Sequence, residues 1–220
     1  MLIPTLSVSA RQDNKDFFTD ETLIIKKIEN EIISTIGDIR AIQQDEQGFI
    51  WLGGANGLIR YDGYDARLFL HEDNNPDTIS TNSVTNILVA EDGVIWVATY
   101  WGLNRYNPQT EKFKSYLKIP GNDSETNSRG DSEIERGPSH NSILALEQDK
   151  EGFIWLVTDG GGINRLDPKT EGFTYFSEDD GLVNNAVQTI FSDKAGDIWL
   201  GYIKSGVTRF TPSSHGKVQT

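Results

Sequence analysis

Gly48-Phe49-Ile50-Trp51, Gly93-Val94-Ile95-Trp96, Gly152-Phe153-Ile154-Trp155 and Gly196-Asp197-Ile198-Trp199 are four copies of one phrase, and they hold four of the chain's five tryptophans. The tryptophans lie 45, 59 and 44 residues apart, so the unit is about 45 residues long with one interval stretched by roughly 14. Downstream of each copy come a glycine, an aliphatic residue, one free position and an arginine: Gly57-Leu58-Ile59-Arg60, Gly102-Leu103-Asn104-Arg105, Gly162-Ile163-Asn164-Arg165 and Gly206-Val207-Thr208-Arg209. A large residue and a turn pair follow (Tyr61-Asp62-Gly63, Tyr106-Asn107-Pro108, Leu166-Asp167-Pro168, Phe210-Thr211-Pro212), and eight residues beyond the arginine stands Leu68, Phe113 or Phe173.

Upstream, each copy opens on an alternating stretch such as Ser83 to Leu88 or Ala186 to Phe191. Alternation at period two buries one face of a strand, while Asp, Gly and Pro supply tight turns. Each unit therefore reads as four short strands of about 5 to 6 residues. One such sheet cannot bury both faces, whereas sheets stacked radially around an axis can. The expected fold is all-β, a β-propeller with four blades of four-stranded antiparallel sheet in this chain. Trp51, Trp96, Trp155 and Trp199 are expected in the core between blades.

The pattern Asp-x-x-Gly-x-Ile-Trp-Leu-Gly-x-x-x-Gly-Leu-x-Arg-Tyr-Asp, from Asp45 to Asp62, resembles the two-component regulator propeller repeat of bacterial hybrid histidine kinases and diguanylate cyclases. The resemblance runs from about residue 38 to residue 210. It departs at Gly54 and Tyr202, where a threonine is usual, and at Ala90, where the other copies have Asp45, Asp149 and Asp193. It implies an extracytoplasmic sensor region and rings of about seven blades, among the four to eight that propellers typically use. The four blades here then form part of a larger ring. Alternatively, Thr22 to Ile28 supplies a closing strand to the last blade, or the open flanks drive self-association.

These features divide the chain into an apolar opening segment at 1–10, an N-terminal segment at 11–37 with the candidate closing strand at 22–28, and four blades. Blade 1 takes 38–81, blade 2 takes 82–139 with an acidic loop insertion, blade 3 takes 140–183 and an incomplete blade 4 takes 184–220. Val8-Ser9-Ala10 fits the small-x-small cleavage pattern of a secretory signal without its charged start, and reads as the rear of such a signal or as an ordinary terminal tail.

Composition narrows the function. There is no cysteine, so thiolate chemistry, disulfides and cysteine-held zinc are excluded. The formal net charge of −13 has the wrong sign for a nucleic-acid or anionic-membrane partner. No apolar run reaches the roughly 18 residues that span a bilayer. His71, His140 and His215 show no metal-ligand or base-nucleophile spacing. No metal, no cofactor and no catalytic residue is expected, and the placement expected is periplasmic.

Strands that run up and down a blade place the second-to-third strand turns on the same disc face as the blade-to-blade links. Those links are the long ones, His71 to Thr81, Lys118 to Ser139 and Glu178 to Val183, and long loops on a rigid scaffold carry binding functions. The candidate ligand residues are accordingly Asn56, Tyr100, Trp101, Asp159, Tyr202 and Lys204. Tyr100, Trp101 and Tyr202 offer aromatic planes for a sugar ring or another flat ligand, or else cap the core between blades. Trp101 is the foremost, because it lies outside the repeated Ile-Trp position.

Three further features have structural explanations. Arg60, Arg105, Arg165 and Arg209 are expected to find partners within their blades rather than form an anion ring. Asp45, Asp149 and Asp193 resemble the Asp-box turns of sialidase-like propellers, which are structural. Arg129-Gly130-Asp131, an adhesion-like tripeptide, sits in a polar loop where chance accounts for it. Two functions remain: a ligand-sensing module feeding a signalling domain, and a glycan-acting propeller hydrolase or lyase. A glycosidase needs two carboxylates at fixed separation facing one pocket, and the loop acids look scattered, which favours sensing.

Overall fold

The computed structural model describes residues 26–118 and 137–212. Within them the repeat becomes fifteen strands in four antiparallel sheets. Blade 1 consists of β1 (Ile39–Gln44), β2 (Ile50–Gly54), β3 (Gly57–Tyr61) and β4 (Ala66–Phe69). Blade 2 consists of β5 (Val84–Val89), β6 (Ile95–Thr99), β7 (Gly102–Asn107) and β8 (Lys112–Tyr116). Blade 3 consists of β9 (Ile143–Gln148), β10 (Ile154–Thr158), β11 (Ile163–Leu166) and β12 (Phe173–Phe176). Blade 4 shows β13 (Val187–Ser192), β14 (Ile198–Tyr202) and β15 (Val207–Phe210). Helix is confined to short 3-10 turns at Ile33–Thr35 and Glu178–Asp180, and none among the described residues is long and apolar enough to cross a membrane.

The first strand of each blade packs against the first strand of the next, β1 on β5, β5 on β9 and β9 on β13, so these four line the inner rim. Each carries a register irregularity near its start, between Ile39 and Ala41, Val84 and Asn86, Ile143 and Ala145, and Val187 and Thr189. An extra residue of this kind bends a strand and sharpens its twist.

The tryptophan and the arginine of each repeat sit directly opposite one another, Trp51 with Arg60, Trp96 with Arg105, Trp155 with Arg165 and Trp199 with Arg209. The guanidinium lies over the indole of its own blade at 5.7 Å for Arg105, 5.7 Å for Arg165 and 5.4 Å for Arg209, and Arg60 lies over Phe49 at 4.8 Å. The expected partners within the blade are thus aromatic rings. Arg60 also reaches across the seam, donating to the Tyr106 hydroxyl at 3.0 Å and pairing with Glu111 at 3.1 Å.

Three tryptophans fill three seams. Trp51 packs with Leu58, Phe69, Val84, Ile87 and Tyr106 between blades 1 and 2. Trp96 packs with Leu103, Ile143 and Leu146 between blades 2 and 3, and Trp155 with Val187, Ile190 and Phe210 between blades 3 and 4. Trp199 departs from the expectation of burial: it is 37% exposed, because no further sheet among the described residues packs over it. At the other end Ile36, itself fully buried, covers Leu52 and Ile59 of blade 1.

The arc does not close among the described residues, since inner-strand packing ends at β13. Of the candidate closing strand, residues 22–25 lie outside the described residues, and Lys26–Ile28 carries no strand. The 1–10 segment, the Arg129-Gly130-Asp131 tripeptide and His215 also lie outside them.

The Asp-box reading holds as a structural device. Asp45, Asp149 and Asp193 each use one oxygen for backbone N–H groups of the following turn and the other for the indole N–H of Trp51, Trp155 or Trp199, at 2.8, 2.7 and 2.8 Å. In blade 2 Ala90 removes that acceptor; the turn keeps the backbone bonds of Ala90 N–H to Val94 at 2.9 Å and Gly93 N–H to Ala90 at 2.8 Å, while Val94 N–H donates to the Asp92 carboxylate at 3.1 Å and Glu91 N–H to the Gln148 side chain at 2.7 Å.

Candidate ligand cleft at the link face

The face reasoning survives in the hydrogen bonds. The residue that opens each second-to-third strand turn donates its N–H to the carbonyl just before the first strand of its own blade: Ala55 to Asp38, Tyr100 to Ser83, Asp159 to Ser142 and Ile203 to Ala186. Links from the following blade dock beside them, with Gly57 donating to Asn82 at 2.7 Å and Gly102 to Asn141 at 2.7 Å. Turns and links therefore share one face.

Buried asparagines fix two of those links. Asn104, fully buried on β7, accepts from the Ser80 N–H at 2.9 Å and the Ser115 hydroxyl at 2.8 Å, and donates to the Val97 carbonyl at 3.2 Å. Asn164 repeats the arrangement with Ser139, accepting from its N–H at 2.8 Å and donating to its hydroxyl at 2.8 Å. A buried amide left unpaired is costly, so these bonds hold the links in one register.

On this face Trp101 is 57% exposed and lines a cleft of about 780 Å³ between the blade 1 to blade 2 link and the outer strand β8. Its walls include His71, Asp77, Ile79, Lys114 and Leu117. The link is stitched rather than loose. Asp77 accepts from the Phe113 N–H at 2.8 Å through its carbonyl and pairs with Lys112 at 2.6 Å through its carboxylate. His71 Nδ1 lies 2.8 Å from the Ile79 carbonyl, and its N–H donates to Asn82 at 2.6 Å. The volume falls in the range of small-molecule sites, and an indole beside a few convergent polar groups is the usual form of such a lining.

The other candidates separate. Tyr100 is exposed beside Arg40, whose guanidinium lies 5.5 Å from the ring centroid. Asn56 is exposed but occupied: its side chain donates to the Thr35 carbonyl at 3.2 Å and its N–H to the Ile36 carbonyl, pinning the N-terminal segment. Asp159 and Lys204 are exposed in the corresponding turns of blades 3 and 4, and Lys204 adopts a positive φ of 63°. Tyr202 corrects the expectation. It is the last residue of β14, buried in the seam with blade 3, and its hydroxyl meets Thr208 at 3.0 Å. Its aromatic plane is core, because the strand runs one residue further than the turn was expected to allow. Of the six candidates, Trp101 alone lines the cleft. The sequence reading missed the walls contributed by β8, since Lys114 and Leu117 look there like ordinary outer-strand residues. The length of the His71–Thr81 link was the available signal. Among the described residues no cluster of acidic or histidine side chains is placed to hold a metal ion.

Comparison with known proteins agrees with this architecture. The sequence model described as two component regulator propeller matches residues 35–56, 78–101, 137–160 and 181–204. No curated protein sequence matches the chain. Among solved structures, the extracellular domain of a hybrid two component system from B. thetaiotaomicron is similar, with a TM-score of 0.69 and 22% identity over 83% of this chain and 24% of that one. A catalytically inactive virginiamycin B lyase from Staphylococcus aureus, solved with quinupristin, is similar at a TM-score of 0.57 and 17% identity over 82% of this chain and 54% of that one. The chain thus spans about a quarter of the first relative's length, and both likenesses are likenesses of the propeller fold. With one match opening on each of the four sheets, the chain carries four copies of the two component regulator propeller repeat.

Proposed function

We propose that this chain is a ligand-sensing propeller from the extracytoplasmic, periplasmic part of a bacterial signalling protein of the hybrid histidine kinase or diguanylate cyclase type, without turnover of its own. The observation that carries the reading is the cleft of about 780 Å³ with Trp101 exposed at its edge, on the face where long links gather in a chain carrying these repeats. A ligand there would lie across the seam between blades 1 and 2, and so could bias the packing of one blade on the next. The ligand class is a small molecule or oligosaccharide with a flat apolar face.

Titration of the protein with a panel of mono- and oligosaccharides, followed by tryptophan fluorescence, tests the reading. A saturable change that disappears in Trp101→Ala supports the site. Release of reducing sugar or of an unsaturated product, abolished by one Asp or Glu substitution, would replace it with the hydrolase or lyase reading.

A further inference from the structure

Each inner strand leaves one residue out of its ladder: Arg40 between Ile39 and Ala41, Thr85 between Val84 and Asn86, Leu144 between Ile143 and Ala145, and Gln188 between Val187 and Thr189. A bulge of this kind re-aims a side chain. At the first two seams the re-aimed side chain reaches the opening residue of the next blade's inner strand. Thr85 donates its hydroxyl to the Ile143 carbonyl at 2.6 Å, and Arg40 donates from one guanidinium nitrogen to the Val84 carbonyl at 3.3 Å and the Ser83 hydroxyl at 3.0 Å. Both ends of each contact lie inside the described arc.

One donor is enough for this clasp, as Thr85 shows, whereas Arg40 brings several N–H groups in a planar fork and a permanent charge. The surplus is unspent. Arg60 and Arg67 share Glu111, Lys112 meets Asp77, Lys114 meets Glu171 and Arg209 meets Asp197, but no carboxylate among the described residues pairs with Arg40. The guanidinium is held in place all the same, by Ser83, by the Val84 carbonyl and by the Tyr100 ring at 5.5 Å, and it remains exposed. A positioned, exposed cation without a counter-charge, in a chain of net charge −13, is ready for an anion supplied from outside.

Tyr100 and Trp101 form the turn between β6 and β7. Tyr100 lies under Arg40 toward the inner strands, and Trp101 lies in the cleft toward the outer strand β8. Both rings are exposed, so a ligand lying across this one turn meets Trp101 at one end and Arg40 at the other. We propose, resting on the cleft reading above, that this ligand is an acidic saccharide: a uronic-acid carboxylate is taken by the fork of Arg40 beside Tyr100, while a neighbouring ring stacks on Trp101.

Isothermal titration calorimetry of the chain with galacturonate and glucuronate disaccharides, each beside its carboxyl-reduced counterpart, reads the outcome. An acid should bind at least about tenfold more tightly than its neutral counterpart, the usual worth of a hydrogen bond to a charged group, and lose that margin as salt screens the charge. Arg40→Thr installs the side chain that the repeat itself uses at Thr85, so a donor to Val84 is kept while the cation goes. It should melt with the parent and bind acid and neutral sugar alike, and Arg40→Gln, which also keeps a donor, should do the same. Trp101→Ala should weaken both sugars together. Equal affinity of the parent for acid and neutral sugar overturns the acidic ligand and leaves the cleft reading standing. An acid preference that survives both Arg40 substitutions overturns it too. Absence of saturable binding by any of these sugars removes it together with the cleft reading, whereas acid binding that needs Arg40 but tolerates Trp101→Ala upholds the carboxylate site and overturns the cleft.

Discussion

Trp155 donates its indole N–H to Asp149 at 2.7 Å inside a closed seam, and Trp199 makes the same bond to Asp193 at 2.8 Å on an open flank. The two carboxylates respond in opposite directions. Burial pushes Asp149 above the ordinary aspartate range, while the Trp199 bond, helped by the turn N–H groups, holds Asp193 below it. One motif therefore has two energetic roles, set by whether a blade lies over it.

Removing the acceptor under a closed seam should be the more damaging change. Asp149→Ala leaves the buried Trp155 N–H and the turn amides without their partner, an expected loss of about 1 to 3 kcal/mol. Asp193→Ala leaves groups that water can reach, and should cost less. Urea unfolding at pH 7 compares them directly.

Trp96→Ala should cost about 3 to 5 kcal/mol, the usual range for emptying a buried aromatic site. Trp199→Ala should cost the isolated arc well under half of that, because the indole is partly in water. A melt of Trp96→Ala within a degree or two of the parent would contradict the seam packing.

Acid should weaken one seam and relieve another. Glu171 accepts from Lys114 at 2.6 Å and from the Tyr116 hydroxyl at 3.0 Å across the blade 2 to blade 3 seam, and the Lys114 bond holds it below the usual glutamate value of about 4.3. A depressed carboxylate stabilises the fold above the unfolded value and ceases to do so as pH falls through its folded value. Glu171→Gln should therefore melt below the parent at pH 7, with the gap narrowing below about pH 4. Glu147, raised by burial, has the opposite sign. Glu147→Gln should gain stability at pH 7 and lose that gain in acid. Thermal melts from pH 3 to 7 on both variants decide the signs.

Trp101→Ala should change stability by no more than about 0.5 kcal/mol, as surface substitutions do. Tyr202→Ala should cost about 2 to 4 kcal/mol, since it empties a seam. Equal effects would mean that one of the two rings has been placed on the wrong side of the surface.

The blades were legible because glycine, tryptophan and arginine recur at fixed spacing, and each does one local thing: turn, fill, or cover the ring. Even so, equal spacing did not mean equal register. Leu68 lies eight residues past Arg60 as Phe113 does past Arg105, yet Leu68 faces Ile59 while Phe113 faces Tyr106, because the blade 1 turn is two residues shorter. The cleft was less legible. Whether an aromatic in a turn faces solvent depends on where its strand ends, which separated Trp101 from Tyr202. The outer-strand walls come from tertiary packing that no local pattern announces.

The residue two places after the repeat tryptophan is Gly53, Ala98, Val157 and Gly201 in successive blades. Each seam is thus cut to a different depth, Gly53 admitting Val84 and Ile87, Ala98 lying with Ile143 and Leu146, and Val157 with Val187 and Ile190. The blades share a backbone plan but are not interchangeable parts. A Val157-type residue placed at Gly53 would drive its side chain into Val84, so a gene that exchanged these sheets would have to recut the joint as well as move the blade.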